Sequence, residues 1–336
     1  MSPNGEVPAQ EGARRERRLD FRDTKKHFVR KNGWLPVVQA YSEARDRRVR
    51  YLTLCSKEAI DVRYFAQQGC LYRNRDRNQY PSLSFIESDP QDYATIAETL
   101  GKPRFSALGR LEDIVLDAGH ESHAEFIETF PYDVVNLDFC GDILPHGDHP
   151  YNRTLQCISR IIELQSANAD EWHLFLTFRA QPAGGSPEAN QQLVDRLQGN
   201  INAPGVLQEA YGARQLPGDL VTANYAEFLR IGIPKLLAYV ATQNSFSFDS
   251  ESSFVYGRHQ NQYKMVKIIA KLSRLGDGNA MPDPAADQAA YAEAVKGIFE
   301  SEPVDVDTAL PASQTETEED LQPVIEELTA LGIVVT

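Results

Sequence analysis

Apolar residues along this chain gather into short continuous runs separated by longer amphipathic stretches. YLTLCS (51–56), SLSFIES (82–88), RFSALG (104–109), YDVVNLDFCG (132–141) and EWHLFLTFRA (171–180) are the runs, each the length of a strand. The stretch KEAIDVRYFAQQG (57–69) sets Ala59, Ile60, Tyr64 and Phe65 on one helix face, with Gly69 placed to stop it. PQDYATIAETLG (90–101) opens on proline and closes on glycine, the usual helix asymmetry. LEDIVLDAG and HAEFIETF supply helical material after the third run, and RTLQCISRIIELQSANA (153–169) is a long amphipathic helix. Continuous apolar strands alternating with helices predict an α/β fold with a mainly parallel sheet covered on both faces. Right-handed crossovers make it doubly wound. The two most apolar runs, 132–141 and 171–180, are expected side by side at its centre.

The flanks are less regular. Residues 1–20 lack periodicity and are expected to form a disordered basic arm, while 21–48 reads as one or two helices interrupted by Gly33 and Pro36. Residues 181–240 form a helical insertion of two or three helices. NSFSFDSESSFVYG (244–257) alternates as a hairpin or one long bent strand, and NQYKMVKIIAKLSRL (261–275) fits strand or helix. Beyond Gly276 the composition turns to Pro, Ala and acidic residues with two short helical segments, and no internal repeat is found. The chain therefore divides into the arm, an α/β domain over 21–276, and an acidic, weakly structured tail over 277–336. That tail is expected to pack poorly and to be removable.

Charge sharpens this division. Residues 1–50 carry 13 Lys/Arg against 7 Asp/Glu, whereas residues 277–336 carry 14 Asp/Glu against one Lys. The asymmetry suggests nucleic acid as a partner for the arm, where Arg14, Arg15, Arg17 and Arg18 precede Lys25, Lys26, Arg30 and Lys31 with Phe28 and Trp34 interleaved. It suggests a basic protein partner for the tail. No apolar run is long enough to span a bilayer and no secretory leader is legible, so a cytoplasmic protein is expected. Cys55, Cys70, Cys140 and Cys157 show no CxxC spacing and read as buried free thiols.

In an open α/β sheet, ligands bind beyond the carboxyl ends of the strands. The residues there are Cys55, Ser56 and Lys57 after the first strand, then Glu87, Ser88 and Asp89 after the second. Glu112 and Asp113 follow the third, and Asp138-Phe139-Cys140-Gly141 the fourth. The order of elements and these polar strand ends, over roughly residues 45–275, resemble the class I S-adenosylmethionine-dependent methyltransferases. The fourth strand end is similar to the Asp-Pro-aromatic-Gly of tRNA guanine dimethyltransferases and three-Cys-motif partner proteins, without its proline. The resemblance implies S-adenosylmethionine as cofactor. It implies Glu87, or Asp89 as a substitute, on the ribose hydroxyls, and Glu112 or Asp113 facing the adenine amine. Cys55 and Ser56 would lie beside the cofactor, with Asp138 as the catalytic group orienting a nucleophilic amine, such as one on a nucleic acid. The family's Gly-x-Gly loop is missing, because LCSKEAID contains no glycine. Side chains there are expected to crowd the cofactor. This leaves a second reading: an inactive methyltransferase-like protein serving as a binding or scaffold subunit.

Two rival patterns complete the picture. Glu87-Ser88-Asp89-Pro90 also reads as a helix cap through Ser88 or Asp89. His120 with His123, and His146 with Asp148 and His149, could ligate a metal, but neither group matches a known metal signature, and no metal is expected.

Overall fold

The computed structural model describes residues 23–74, 79–144, 152–182, 185–201, 217–258, 263–276, 284–310 and 314–333. In chain order the helix α1 (Thr24–Val29) runs through a π-helical turn (Arg30–Trp34) into α2 (Leu35–Ala44). Then come β1 (Tyr51–Leu54), α3 (Ile60–Gln67), β2 (Gln79–Glu87), α4 (Pro90–Leu100), β3 (Lys102–Leu108), α5 (Leu111–Leu116) and α6 (His123–Glu128). The second half holds β4 (Val134–Asp142), α7 (Arg153–Ser166), β5 (Glu171–Ala180), α8 (Pro187–Ile201), α9 (Pro217–Ala223), α10 (Tyr225–Gln243), β6 (Phe246–Arg258) and β7 (Tyr263–Arg274). The chain closes with α11 (Pro284–Glu300), β8 (Val304–Asp305), α12 (Val306–Ala309) and α13 (Gln314–Ala330).

The described strands form one eight-stranded sheet in the order β3-β2-β1-β4-β5-β7-β6-β8. β1 to β5 run parallel, and β7 pairs antiparallel with both β5 and β6. The fold is thus the doubly wound, mainly parallel α/β sheet expected from the sequence, with 132–141 and 171–180 contributing the adjacent central strands β4 and β5. Side chains alternate between the faces: Trp172, Leu174 and Leu176 join one core, and Phe175 the other. The first core is capped by α5, α7, α10 and α11 through residues such as Ile114, Ile158, Leu229 and Ile298. The second lies under α2, α3, α4 and α13, through Val38, Val62, Ile96 and Val324.

Several expectations are corrected or decided. The second strand starts before the run 82–88: Pro81 sits inside β2, where the register with β3 shifts between Tyr80 and Ser84. Residues 244–257 and 261–275 are the two arms of one hairpin, with an irregularity between Ser250 and Ser252 in place of a turn. The tail is not weakly structured. Val295, Ile298 and Phe299 of α11 complete the first core, β8 adds to the sheet edge, and Leu321, Val324 and Leu328 of α13 are buried in the second core. Acidic composition hid an apolar stripe at helical spacing. The tail's carboxylates meet basic residues of the same chain: Asp307 with Lys25, Asp320 with Lys31 and His27, and Glu327 with Arg63 and Arg73. Residues 1–20 lie outside the described residues.

Candidate functional site

The strand order leaves β1 outward through β2 to β3, then returns to β4 on the far side of β1. The loops beyond β1 and β4 therefore diverge, and a crevice opens between them. A cavity of about 280 Å³ lies there, walled by the ends of β1 to β4 and roofed by Lys26, Arg30 and Trp34. Ligand pockets usually begin near that size.

Its floor is a polar cluster. Asp61, in the first turn of α3, accepts hydrogen bonds from Tyr51 Oη (2.6 Å), Thr53 Oγ1 (3.1 Å) and Asn136 Nδ2 (3.2 Å). Burial, then the Asp61 charge, push the Tyr51 hydroxyl well above its ordinary value, so it remains a donor. The loop after β1 achieves its turn without glycine: Ala59 takes φ 46° and ψ 46°, the left-handed region, which costs a residue with a Cβ roughly 1–2 kcal/mol. In that turn Cys55 points inward, 2% exposed, while Ser56 faces solvent. The side chains of Cys55, Ser56, Lys57 and Glu58 line the cavity, which keeps a volume of about 280 Å³ beside them. Burial pushes the Cys55 thiol well above its ordinary value, which disfavours the thiolate.

Five expected site residues, Cys55, Ser56, Glu87, Glu112 and Asp138, line this one cavity. The Glu87 carboxylate stands at the end of β2 and accepts the Asp89 backbone N–H (2.7 Å) and the Ser88 hydroxyl (3.3 Å), contacts that fix its rotamer. Glu112 opens α5 and is steadied by Thr154 Oγ1 at 2.9 Å. Asp89 and Asp113 fall outside. Asp89 caps α4 by accepting the Gln91 and Asp92 N–H groups, the alternative already legible in the sequence. Asp113 pairs with Arg153 on the surface (2.8 Å).

Asp138 lies within β4 at the point where the register with β5 breaks, between Asp138 and Asp142. Its Oδ2 lies 4.0 Å from Lys267 Nζ, and that ammonium sits 4.3 Å from the centroid of the Trp34 ring. Trp34 in turn stacks on Phe175 at 5.6 Å. Gly33 permits this approach: a Cβ there would come within 2.8 Å of Phe254. Lys26, Arg30, Trp34, Asp61, Asn136 and Lys267 are site residues the strand-end reasoning missed. The first three carried a signal, a spacing of four residues each. They were expected to grip nucleic acid, but Lys26, Arg30 and Trp34 are buried at the cavity, and Lys25 and Lys31 pair with tail aspartates. The arginines at 14, 15, 17 and 18 lie outside the described residues.

Among the described residues no His/Cys/Asp/Glu group is disposed to hold a metal. His120 Nδ1 accepts the Ser122 N–H, and His123 Nδ1 contacts the Ile114 carbonyl; the group at 146–149 lies outside the described residues. Cys70 and Cys157 are buried free thiols like Cys55, and the Cys140 side chain is outside the described set. No described helix is long and apolar enough to cross a membrane.

A family model described as PP_RS20740-like matches residues 107–330, well over half of the chain. The chain belongs to that family. No curated protein matches it. Among solved structures, the plantazolicin methyltransferase BamL, in complex with a triazolic desmethyl analogue and SAH, is similar at 10% identity and a TM-score of 0.40, covering 79% of this chain and 91% of that one. Human methyltransferase-like protein 13 in complex with SAH is similar at 13% identity and a TM-score of 0.30, covering 88% and 98%. CalS10, an amino pentose methyltransferase from Micromonospora echinaspora, has 18% identity, a TM-score of 0.27, and coverage of 52% and 58%. Likeness at this level leaves the fold to be read from the strand order. A doubly wound sheet in which β1 to β5 are parallel and β7 inserts antiparallel beside β5 is the class I methyltransferase-like fold, and this member of the PP_RS20740-like family has it.

Proposed function

We propose that this protein is an S-adenosylmethionine-dependent methyltransferase acting on a nucleophilic amine. The observation that carries this reading is the convergence of Glu87, Glu112 and Asp138 on one cavity at the switch point of the sheet. The donor set suits the cofactor: Glu87 can accept two hydrogen bonds from a vicinal diol, and Glu112 can accept one from an amine. An arginine with unpartnered guanidinium atoms in the same cavity suits a carboxylate. The cofactor, when bound, supplies an activated methyl group. The chain's own residues then bind and orient. Asp138, beside the Lys267 ammonium, accepts a hydrogen bond from the incoming amine and directs its lone pair into the cavity. Trp34 and Phe139 at the cavity wall exclude water.

The inactive-scaffold reading expects the LCSKEAID side chains to fill the cavity. Side chains of that segment line the cavity, yet about 280 Å³ stays open between its walls, which argues against it. Nucleic acid as the acceptor belongs to the proposal only through the arginines of residues 1–20, since the basic residues from Lys25 to Lys31 have other places in the fold.

The test separates two residues. Glu87→Ala should weaken S-adenosylmethionine binding by roughly ten- to a hundredfold, the worth of a charge-assisted hydrogen bond. Asp138→Ala should leave that affinity within about threefold and abolish methyl transfer to amine acceptors. Unchanged binding in Glu87→Ala, or full turnover in Asp138→Ala, would overturn the assignment.

A further inference from the structure

In a straight α-helix every four-residue step overshoots a full turn by about 40°, so residues spaced 4 and 8 apart drift around the helix. Here Lys26, Arg30 and Trp34 nevertheless line one cavity. The wider π-helical turn over Arg30–Trp34, closed by the Leu35 N–H on the Arg30 carbonyl, takes back the drift and returns Trp34 to the side that Lys26 and Arg30 occupy. Such turns recur at functional sites.

The turn buries an uncommon group. Arg30 is 6% exposed, and its Nε and Nη1 are buried with no hydrogen-bond partner among the described residues. Lys26, 3% exposed, lies one turn before it. A buried guanidinium with unmade hydrogen bonds is costly, and the cost is recovered when an anion accepts one of them. Glu87 and Glu112 line the same cavity, so it holds both buried cations and carboxylates.

We infer that Arg30, supported by the charge of Lys26, is a carboxylate receptor that binds the amino-acid end of the cofactor. The inference rests on the methyltransferase reading and deepens it. A glycine-rich loop would let the backbone approach that end of the cofactor. The loop Cys55–Ser56–Lys57–Glu58 has no glycine, and a long side chain from the roof takes over the task. Arginine fits better than lysine, because its guanidinium keeps its charge when buried and holds its donors in a fixed plane.

The test is calorimetric titration of the full chain with S-adenosylhomocysteine and with 5′-methylthioadenosine, which keeps the nucleoside but has no amino-acid end. Wild type should bind S-adenosylhomocysteine more tightly by at least tenfold. In Arg30→Gln that preference should shrink to less than about threefold, with 5′-methylthioadenosine affinity unchanged, and Arg30→Lys should fall between. Thermal unfolding without ligand should show Arg30→Gln as stable as wild type or more so, because an uncompensated charge has been removed. Equal weakening of both ligands, or loss of the ligand-free fold in both variants, would make Arg30 a structural residue and overturn the inference. If wild type binds neither compound at millimolar concentration, the methyltransferase reading itself falls and takes the inference with it. If wild type binds both equally and Arg30→Gln changes neither, only the receptor role falls.

Discussion

Asp133 shows how much one side chain can hold in place. It sits just before β4, 1% exposed, and receives the Arg47 guanidinium in two bonds (2.5 and 2.8 Å) and the Arg50 backbone N–H (2.7 Å). These contacts tie the segment after α2 to the start of the central strand. Burial alone would raise the Asp133 carboxyl; the Arg47 and Arg50 hydrogen bonds prevail and hold it below the usual carboxylate range. Asp133→Asn should therefore cost about 1–3 kcal/mol at neutral pH, measured by denaturant unfolding. A carboxylate with a lowered folded pKa stabilises fully above its unfolded value, about 3.9, and loses that contribution as pH falls through the folded value. The gap between variant and wild type should close in strong acid. A gap independent of pH would show that packing, not charge, is what Asp133 provides.

At the scale of elements, the strands were the legible part. Apolar runs flanked by Pro, Gly and Asp placed β1 to β5 within a few residues, and the same patterning located the strand ends where Glu87, Glu112 and Asp138 converge. Illegible was whatever depends on a partner distant in sequence. Asp89 and Asp113 were as acidic as their neighbours, and only the start of α4 and the position of Arg153 decided their use. The roof residues Lys26, Arg30 and Trp34 belonged to the site only because a π turn and Gly33 let their helix lie against the sheet. The acidic tail misled for the same reason: Glu327 of α13 looks like a solvated residue until it meets Arg63, which is fully buried. Removing residues after 310, or replacing Glu327 with Ala, should leave Arg63 uncompensated and lower stability by about 3–5 kcal/mol. Thermal unfolding of both variants checks this, and midpoints within a degree of wild type would mean that α13 is dispensable.

Across the whole molecule, the first described helix and the tail meet beside the site. The helix that roofs the cavity is held from behind by the tail, through Lys25 with Asp307 and Lys31 with Asp320, while the sheet beneath supplies the floor. N-terminal base and C-terminal acid, which read as two docking surfaces in the sequence, here join α1 to α12 and α13 within one chain. The arrangement gives a cavity lined by a polar floor, carboxylates and buried cations. On the proposed reading this cavity binds S-adenosylmethionine. The most direct measurement is isothermal titration of the purified full-length chain with S-adenosylmethionine, repeated with Glu87→Ala. The expected result is one site per chain with micromolar affinity, weakened at least tenfold in the variant. Absence of binding at millimolar cofactor, or equal affinity in both proteins, would contradict it.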